Sequence, residues 1–192
     1  MMSALDNAII LHGACERAEY FSSEHPAQSN SHWLPWMQKQ LLIRGVATQT
    51  PEMPSPYDPD YGSWKRELER FDIGPRTLLI GYSCGAGFLL RWLSERVVPI
   101  ARLILVAPWL DPERARTDAF FDFKIDSALA SRAKSIDLLV SNDDHASIQK
   151  SVEQIIAALP PIRVHRFREL GHFTSEDLGS TAFPQLRAIA FE

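Results

Sequence analysis

Ser83, in the pentapeptide Gly81-Tyr82-Ser83-Cys84-Gly85, is the residue whose type and surroundings best suit nucleophilic chemistry. An apolar run at 77–80 precedes it, and apolar residues at helical spacing follow at 88–93. Gly-x-Ser-x-Gly between a strand and a helix holds the serine on a sharp turn with its hydroxyl exposed. The helix N-terminus directs free N–H groups and its positive dipole end to the same place. We therefore predict that Ser83 is a nucleophile; the alternative is an ordinary strand-to-helix turn.

A serine hydroxyl needs a base within hydrogen-bond reach, and His172 is the best candidate because it follows the last predicted strand. Asp143 and Asp144 follow the fifth predicted strand, and either could orient an imidazole. We prefer Asp144 because it stands farther past the strand end. The order Ser, Asp, His along the chain is that of α/β-hydrolases. The alternative for the acidic pair is a solvated Asn-Asp-Asp turn.

Stabilising an oxyanion requires two backbone donors. We expect these to be the N–H of Cys84 and the N–H of Ala14, with Gly13 as the alternative to Ala14. The thiol of Cys84 is expected to pack rather than react, and a redox pair with Cys15 is a minor alternative. The chemistry needs no metal or organic cofactor, and no Cys/His spacing suits zinc.

Composition narrows the class of protein and partner. The 192 residues are 45% hydrophobic, which suits one domain over 1–192 with a sizeable core. The net charge of −4, without a basic run, argues against nucleic acid or an anionic membrane as partner. No apolar stretch reaches the length of a membrane span, and the N-terminus lacks the features of a signal peptide. We expect a cytoplasmic protein that acts on a small molecule.

The hydrophobic pattern alternates strands with helices. The predicted strands are 8–11, 46–48, 77–80, 103–107, 136–140 and 162–167. The predicted helices are 31–43, 63–71 with Ser63 as its N-cap, one directly after Ser83, 148–159 and 181–191. The segments 16–30 and 50–62 are expected to be loops, and 109–135 to be partly helical.

This alternation predicts an α/β fold of about six parallel strands with helices on both faces. Ligands of such sheets bind outside the carboxyl ends of the strands, where the strand order reverses. The segments that begin at His12, Ser83, Asp143 and Gly171 each follow a strand directly. We therefore expect them to meet at one edge of the sheet.

With these residues assembled, the chain resembles the retinoblastoma-binding-protein-nine-like serine hydrolases of the α/β-hydrolase superfamily. The resemblance covers nearly the whole chain, and its motifs are Trp33-x-x-Trp36, a Pro-rich loop before a helix with Trp64 and Leu68, Gly-x-Ser-x-Gly, Ser141-x-Asp143-Asp144 and Gly171-His172-Phe173. It implies Ser83 as nucleophile, Asp144 as acid and His172 as base. It also implies a compact fold without a large cap domain.

Two departures from the family pattern concern the site. The first loop, from His12 to Arg17, has less glycine than is usual, which bears on the second oxyanion donor. The acid motif continues as His145-Ala146 where Val-Pro is common, which bears on the choice of acid. No Leu-x-Cys-x-Glu motif for binding a retinoblastoma-type pocket protein is present.

The expected activity is cleavage of small esters, with amides as the other acyl class, through an acyl-enzyme in a shallow, open pocket. Aromatic residues after the fourth strand are candidates either for an acyl site or for core packing: Trp109, Phe120, Phe121 and Phe123. The main alternative is a hydrolase-like scaffold that binds a protein partner, which predicts a large exposed apolar patch. A flavodoxin-like binder predicts a Gly-rich phosphate loop after the first strand, and the residues there fit one poorly.

Overall fold

The computed structural model describes residues 5–115 and 119–192. Its six strands are β1 Asn7–Leu11, β2 Ala47–Gln49, β3 Thr77–Tyr82, β4 Ile100–Val106, β5 Ala133–Ser141 and β6 Arg163–Phe167. They form one parallel sheet in the order β2-β1-β3-β4-β5-β6, which confirms the predicted fold class. Residues 1–4, in the N-terminal segment, and 116–118, in the segment predicted to be partly helical, lie outside the described residues.

The helices are α1 Arg17–Tyr20, α2 Leu34–Ile43, α3 Tyr61–Leu68, α4 Cys84–Glu95, α5 Leu129–Arg132, α6 Ala146–Ala158 and α7 Pro184–Ala190. A short 3-10 helix spans Gln28–Asn30. The prediction of a loop over 16–30 was therefore wrong in part, because single helical turns carry no apolar periodicity. Among the described helices, none is long and apolar enough to cross a bilayer.

Several predicted helix boundaries were wrong by two or three residues. Helix α3 begins at Tyr61, because the side chain of Asp60 accepts a hydrogen bond from the N–H of Ser63 at 2.7 Å and is the N-cap instead of Ser63. Helix α2 begins at Leu34, with Pro35 in its first turn, where the missing N–H of proline removes no helical hydrogen bond. In the described part of 109–135, the helix is the single turn α5, and no cap domain is added.

The core lies on both faces of the central strands. Every residue of β3 and β4 is buried, as the continuous apolar runs 78–80 and 103–106 within them predict for strands covered on both sides. The strand order reverses between β1 and β3, which are neighbours in the sheet but separated in the chain by β2. Ser83 follows β3 and Gly13 follows β1, so the predicted nucleophile lies at this switch point.

A buried ionic cluster joins β4, β5 and β6. The carboxylate of Asp137, which is fully buried, accepts hydrogen bonds from Arg102 and Arg163 at 2.8 Å and from His165 Nε2 at 2.9 Å. Arg102 also donates to the backbone carbonyls of Ile189 and Ala190. This cluster therefore anchors the end of α7 to the sheet.

Candidate active site

Ser83 occupies a strained turn between β3 and α4. Its backbone has φ 53° and ψ −118°, a conformation that L-residues rarely adopt. The turn is fixed by backbone hydrogen bonds: Ser83 N–H donates to the carbonyl of Val106, and Trp109 N–H donates to the carbonyl of Ser83. The loop after β4 therefore braces the serine, which itself remains partly exposed.

The two glycines of the pentapeptide allow this turn because a β-carbon would not fit at either. At Gly81 it would lie 2.5 Å from the α-carbon of Ala86, and at Gly85 it would lie 2.3 Å from the carbonyl oxygen of His12. Both neighbours are backbone atoms that cannot rotate away. The glycine requirement therefore comes from the close approach of α4 to β3 and to the end of β1.

The three predicted triad side chains lie in hydrogen-bond contact. Nε2 of His172 lies 3.0 Å from Oγ of Ser83, and Nδ1 lies 3.0 Å from both carboxylate oxygens of Asp144. An ionised carboxylate only accepts, so Nδ1 carries the proton and Nε2 presents its lone pair to the serine hydroxyl. The side chain of Asp144 is fully buried and accepts a further bond from the His145 N–H at 2.7 Å.

Asp143 has a different partner from its neighbour. Its carboxylate accepts from Ser141 Oγ and, at 3.3 Å, from the N–H of Gly171. The hydrogen bond from Ser141 is the main reason that the pKa of Asp143 is lowered. Asp143 therefore holds the backbone beside His172, whereas Asp144 holds the ring.

Two residues that the sequence analysis did not single out fix the backbone of His172. Tyr82 donates its hydroxyl to the His172 carbonyl at 2.9 Å, and Asp177 accepts from the His172 N–H at 2.8 Å. A β-carbon on Gly171 would lie 2.5 Å from the carboxylate of Asp177, and Gly171 has φ 48°. The position of Tyr82 directly before Ser83 was the one sequence signal that it lies near the site. The sequence carried no such signal for Asp177.

The loop after β1 is held by His12, whose imidazole is buried. Nδ1 donates to the Gly13 carbonyl at 2.7 Å, and Nε2 accepts from the Met53 N–H at 2.8 Å. Burial lowers the pKa of His12, which keeps the ring in this neutral form. Because a trans peptide directs its C=O and N–H to opposite sides, the Ala14 N–H points away from the His12 ring.

The same loop lies against Ser83. A β-carbon built on Gly13 would lie 3.1 Å from Cβ of Ser83, so backbone and serine are almost in contact. Cys84 is the first residue of α4, so its backbone N–H lies at the N-terminal end of the helix, directly after Ser83. These positions suit both predicted donors, Cys84 and Ala14.

Neither cysteine has the surroundings of a reactive thiol. Neither forms a disulfide; Cys84 is buried, and Cys15 is partly buried. Burial, with Glu19 and Glu52 nearby, raises the pKa of Cys15 to about 11, so its thiolate is scarce at neutral pH. Within residues 5–115 and 119–192, no three His, Cys, Asp or Glu side chains form a metal-binding group.

The aromatic residues after β4 divide between core and surface. Phe120 is buried and packs edge-on against Trp64 at 5.3 Å, which favours its interpretation as core. Trp109 and Phe121 are partly exposed and contact each other with ring centroids 5.2 Å apart. Trp109 belongs to the loop that braces Ser83, so its ring is the better candidate to line an acyl site.

Comparison with known proteins defines the class. The family model described as serine hydrolase matches residues 25–190, most of the chain. The chain belongs to this serine hydrolase family, which confirms the resemblance drawn from the motifs.

Individual relatives agree with this assignment. The chain is 30% identical over 176 residues to YdeN of Bacillus subtilis strain 168, covering 86% of this chain and 90% of YdeN. The crystal structure of the B. subtilis ydeN gene product superposes with a TM-score of 0.75 at 25% identity, over 97% of each chain. Est1E from Butyrivibrio proteoclasticus has a TM-score of 0.63 at 14% identity, over 98% of this chain and 88% of Est1E, and so is similar in fold alone.

Proposed function

We propose that this protein hydrolyses small carboxylic esters through an acyl-enzyme, with Ser83 as nucleophile, His172 as base and Asp144 as the acid that orients it. The observation that carries the proposal is the continuous chain of contacts from Asp144 through His172 to Ser83, with 3.0 Å at each step. Membership of the serine hydrolase family supports the same chemistry.

In the first half-reaction, Oγ of Ser83 attacks the carbonyl carbon while Nε2 of His172 takes the hydroxyl proton. The oxyanion accepts hydrogen bonds from the N–H groups of Cys84 and Ala14. The C–O bond to the alcohol then breaks, and His172 returns the proton to the leaving oxygen. In the second half-reaction, water attacks the acyl-serine by the same route and releases the acid. Amides are the other acyl class that these residues can serve.

Asp144 acts by holding one tautomer of His172. Its two oxygens accept the Nδ1 proton, so that Nε2 remains free to accept from Ser83. It also stabilises the imidazolium that forms when the proton moves. Because the Asp144 side chain is fully buried, water screens this charge pair less than it would at the surface.

The alternative of a protein-binding module finds little support. The large apolar side chains that are clearly exposed in the described part of the chain belong to three separate segments: Tyr20 and Phe21, Leu42 and Ile43, and Val97. Each segment contributes at most two of these exposed side chains, fewer than the broad apolar surfaces of stable protein interfaces contain.

The test is steady-state hydrolysis of p-nitrophenyl acetate and butyrate, with p-nitroacetanilide as the matched amide. We expect ester turnover by the wild type and its loss in Ser83→Ala, with the fold verified by circular dichroism. Turnover that persists in Ser83→Ala would refute Ser83 as nucleophile, and wild-type protein that cleaves neither ester would refute the esterase proposal.

A further inference from the structure

His32 connects the segment before α2 to the loop that carries His172. Its Nδ1 accepts a hydrogen bond from the backbone N–H of Ser175 at 3.1 Å and lies 3.3 Å from Oγ of Ser175. Ser175 is three residues beyond His172. His32 and Ser175 are 143 positions apart in sequence. His32 itself has φ 54°, an uncommon conformation for a residue with a side chain. A long-range contact at a strained residue therefore restrains the loop 171–177.

This contact requires a neutral imidazole. A backbone N–H only donates, so Nδ1 must present a lone pair and the ring proton must be on Nε2. Burial lowers the pKa of His32, which favours the neutral ring. The ionisable groups that face it are Glu176, Asp177 and His172 from the loop, Glu19 from α1 and Tyr82 from β3.

Those groups determine what protonation would do. The carboxylate of Glu176, 3.9 Å from Nδ1, would attract a charged His32 and draw it from Ser175. A charged ring would also set an N–H against the N–H of Ser175, and the hydrogen bond would be lost. Finally, a positive charge at His32 would oppose the imidazolium that His172 becomes during catalysis.

The restraint reaches His172 by two routes. Along the loop, Asp177 accepts from the N–H groups of both His172 and Thr174, so the residues on either side of Ser175 move with His172. Across the fold, the His32 ring packs edge-on against Tyr82 with centroids 5.9 Å apart, and the hydroxyl of Tyr82 holds the His172 carbonyl. Loosening His32 would therefore loosen both supports of the catalytic histidine.

We propose that His32 is a positioning residue, which holds the loop 171–177 in its active conformation through Ser175 and releases it when the imidazole is protonated. This inference rests on the proposed function of His172. It gives the enzyme a second proton-sensitive group besides its general base.

The first test compares His32→Ala with His32→Asn. Asparagine offers an amide oxygen near the position of Nδ1 and tolerates positive φ, so it can keep the bond to Ser175. In His32→Ala we expect kcat to fall about tenfold with KM within about twofold, because the base is misplaced rather than the substrate site. In His32→Asn we expect kcat within about threefold of wild type. His25→Ala, at an exposed histidine of the preceding loop, is the matched control and should match wild type.

The second test is the pH dependence of kcat. Protonation of His172 should abolish activity, whereas protonation of His32 should lower kcat about tenfold, as His32→Ala does. The slope of log kcat against pH for the wild type should therefore exceed one over the pH range in which His32 titrates. In His32→Asn the slope should remain one throughout. Circular dichroism at each pH confines the comparison to folded protein. The same acid-side slope of log kcat for wild type and His32→Asn would overturn the proposal, and so would a kcat of His32→Ala equal to that of wild type.

Hydrogen exchange tests the restraint without any substrate. Peptides that cover 171–177 should exchange faster in His32→Ala than in wild type or His32→Asn, and peptides of β3 should not change. Unchanged exchange in the loop would overturn the positioning role even if the enzyme is active. Conversely, faster exchange in a protein with no esterase activity would support the restraint and count against the proposed function alone.

Discussion

Both oxygens of the Asp144 carboxylate lie 3.0 Å from Nδ1 of His172, whereas the carboxylate of its neighbour Asp143 accepts from the Ser141 hydroxyl and from the Gly171 N–H beside that histidine. Asp144 thus holds the ring of His172, and Asp143 holds the backbone of the loop that carries it. Residue type alone left this choice open, since both aspartates follow β5.

The two aspartates should therefore differ sharply when they are neutralised. In Asp144→Asn we expect kcat for p-nitrophenyl acetate to fall about 10³-fold or more, because an amide no longer enforces the required tautomer or stabilises the imidazolium. In Asp143→Asn, the matched control, we expect a decrease of about tenfold or less, because the amide oxygen can still accept from Gly171. The reverse ranking would show that Asp143 is the acid.

A single methyl group at Gly85 should damage both stability and activity. The β-carbon of Gly85→Ala would lie 2.3 Å from the carbonyl of His12 and 3.0 Å from that of Leu11, so β1 or α4 must move. We expect a loss of about 1–3 kcal/mol in the free energy of unfolding and a lower kcat, because the shift displaces the loop of Ala14. Gly74→Ala, where nothing lies within 4 Å, should unfold in urea like wild type. An unaffected Gly85→Ala would contradict the packing described for this turn.

The buried neutral state of His12 predicts an acid-sensitive fold. Because the pKa of His12 is lower in the folded protein than its ordinary value of 6.5, the unfolded chain binds the extra proton first. The contribution of neutral His12 to the free energy of unfolding is fully present above about pH 6.5. Below that pH the free energy of unfolding decreases by about 1.4 kcal/mol per pH unit until the pKa of His12 in the folded protein is reached. Urea unfolding between pH 8 and pH 5 measures this slope, which His12→Asn should reduce. An identical slope in His12→Asn would contradict the assignment.

The Asp137 cluster should matter for stability but not for chemistry. Burial opposes ionisation of Asp137, but hydrogen bonds from Arg163, Arg102 and His165 outweigh it and lower its pKa. In Asp137→Ala the cationic partners lose their carboxylate, and we expect a loss of about 3–5 kcal/mol in the free energy of unfolding. At a temperature where the variant is folded, its kcat should equal that of wild type, since the cluster touches no residue of the proposed triad. A selective loss of kcat without loss of stability would refute this separation.

The sequence predicted the sheet well because its signals are local. Continuous apolar runs mark β3 and β4, and the chemistry-bearing residues come directly after strands, so their meeting at one edge follows from parallel pairing. Short helices such as α1 escaped detection, since four residues show no periodicity. The N-cap of α3 was misplaced because Asp60 and Ser63 are both good caps and only the geometry distinguishes them.

The supports of the site could not be predicted in the same way. Asp177 and His32 act through backbone groups of the loop 171–177, and their types are common in any polar loop. The role of His32 depends on a contact between distant segments, the bond from the Ser175 N–H. Asp177 contacts His172 and Thr174 within its own loop, but nothing in its residue type distinguishes it from other acidic loop residues. Tyr82 is an intermediate case, because it stands within the nucleophile motif but its hydroxyl reaches a carbonyl 90 positions away.

Covalent capture of Ser83 tests the central claim most directly. Wild type, Ser83→Ala and Ser175→Ala should be incubated with a fluorophosphonate probe, and the modified peptide identified by mass spectrometry. We expect one adduct in wild type, located on Ser83, the same adduct in Ser175→Ala, and none in Ser83→Ala. A wild type that forms no adduct, or one that is modified at a residue other than Ser83, would contradict the account.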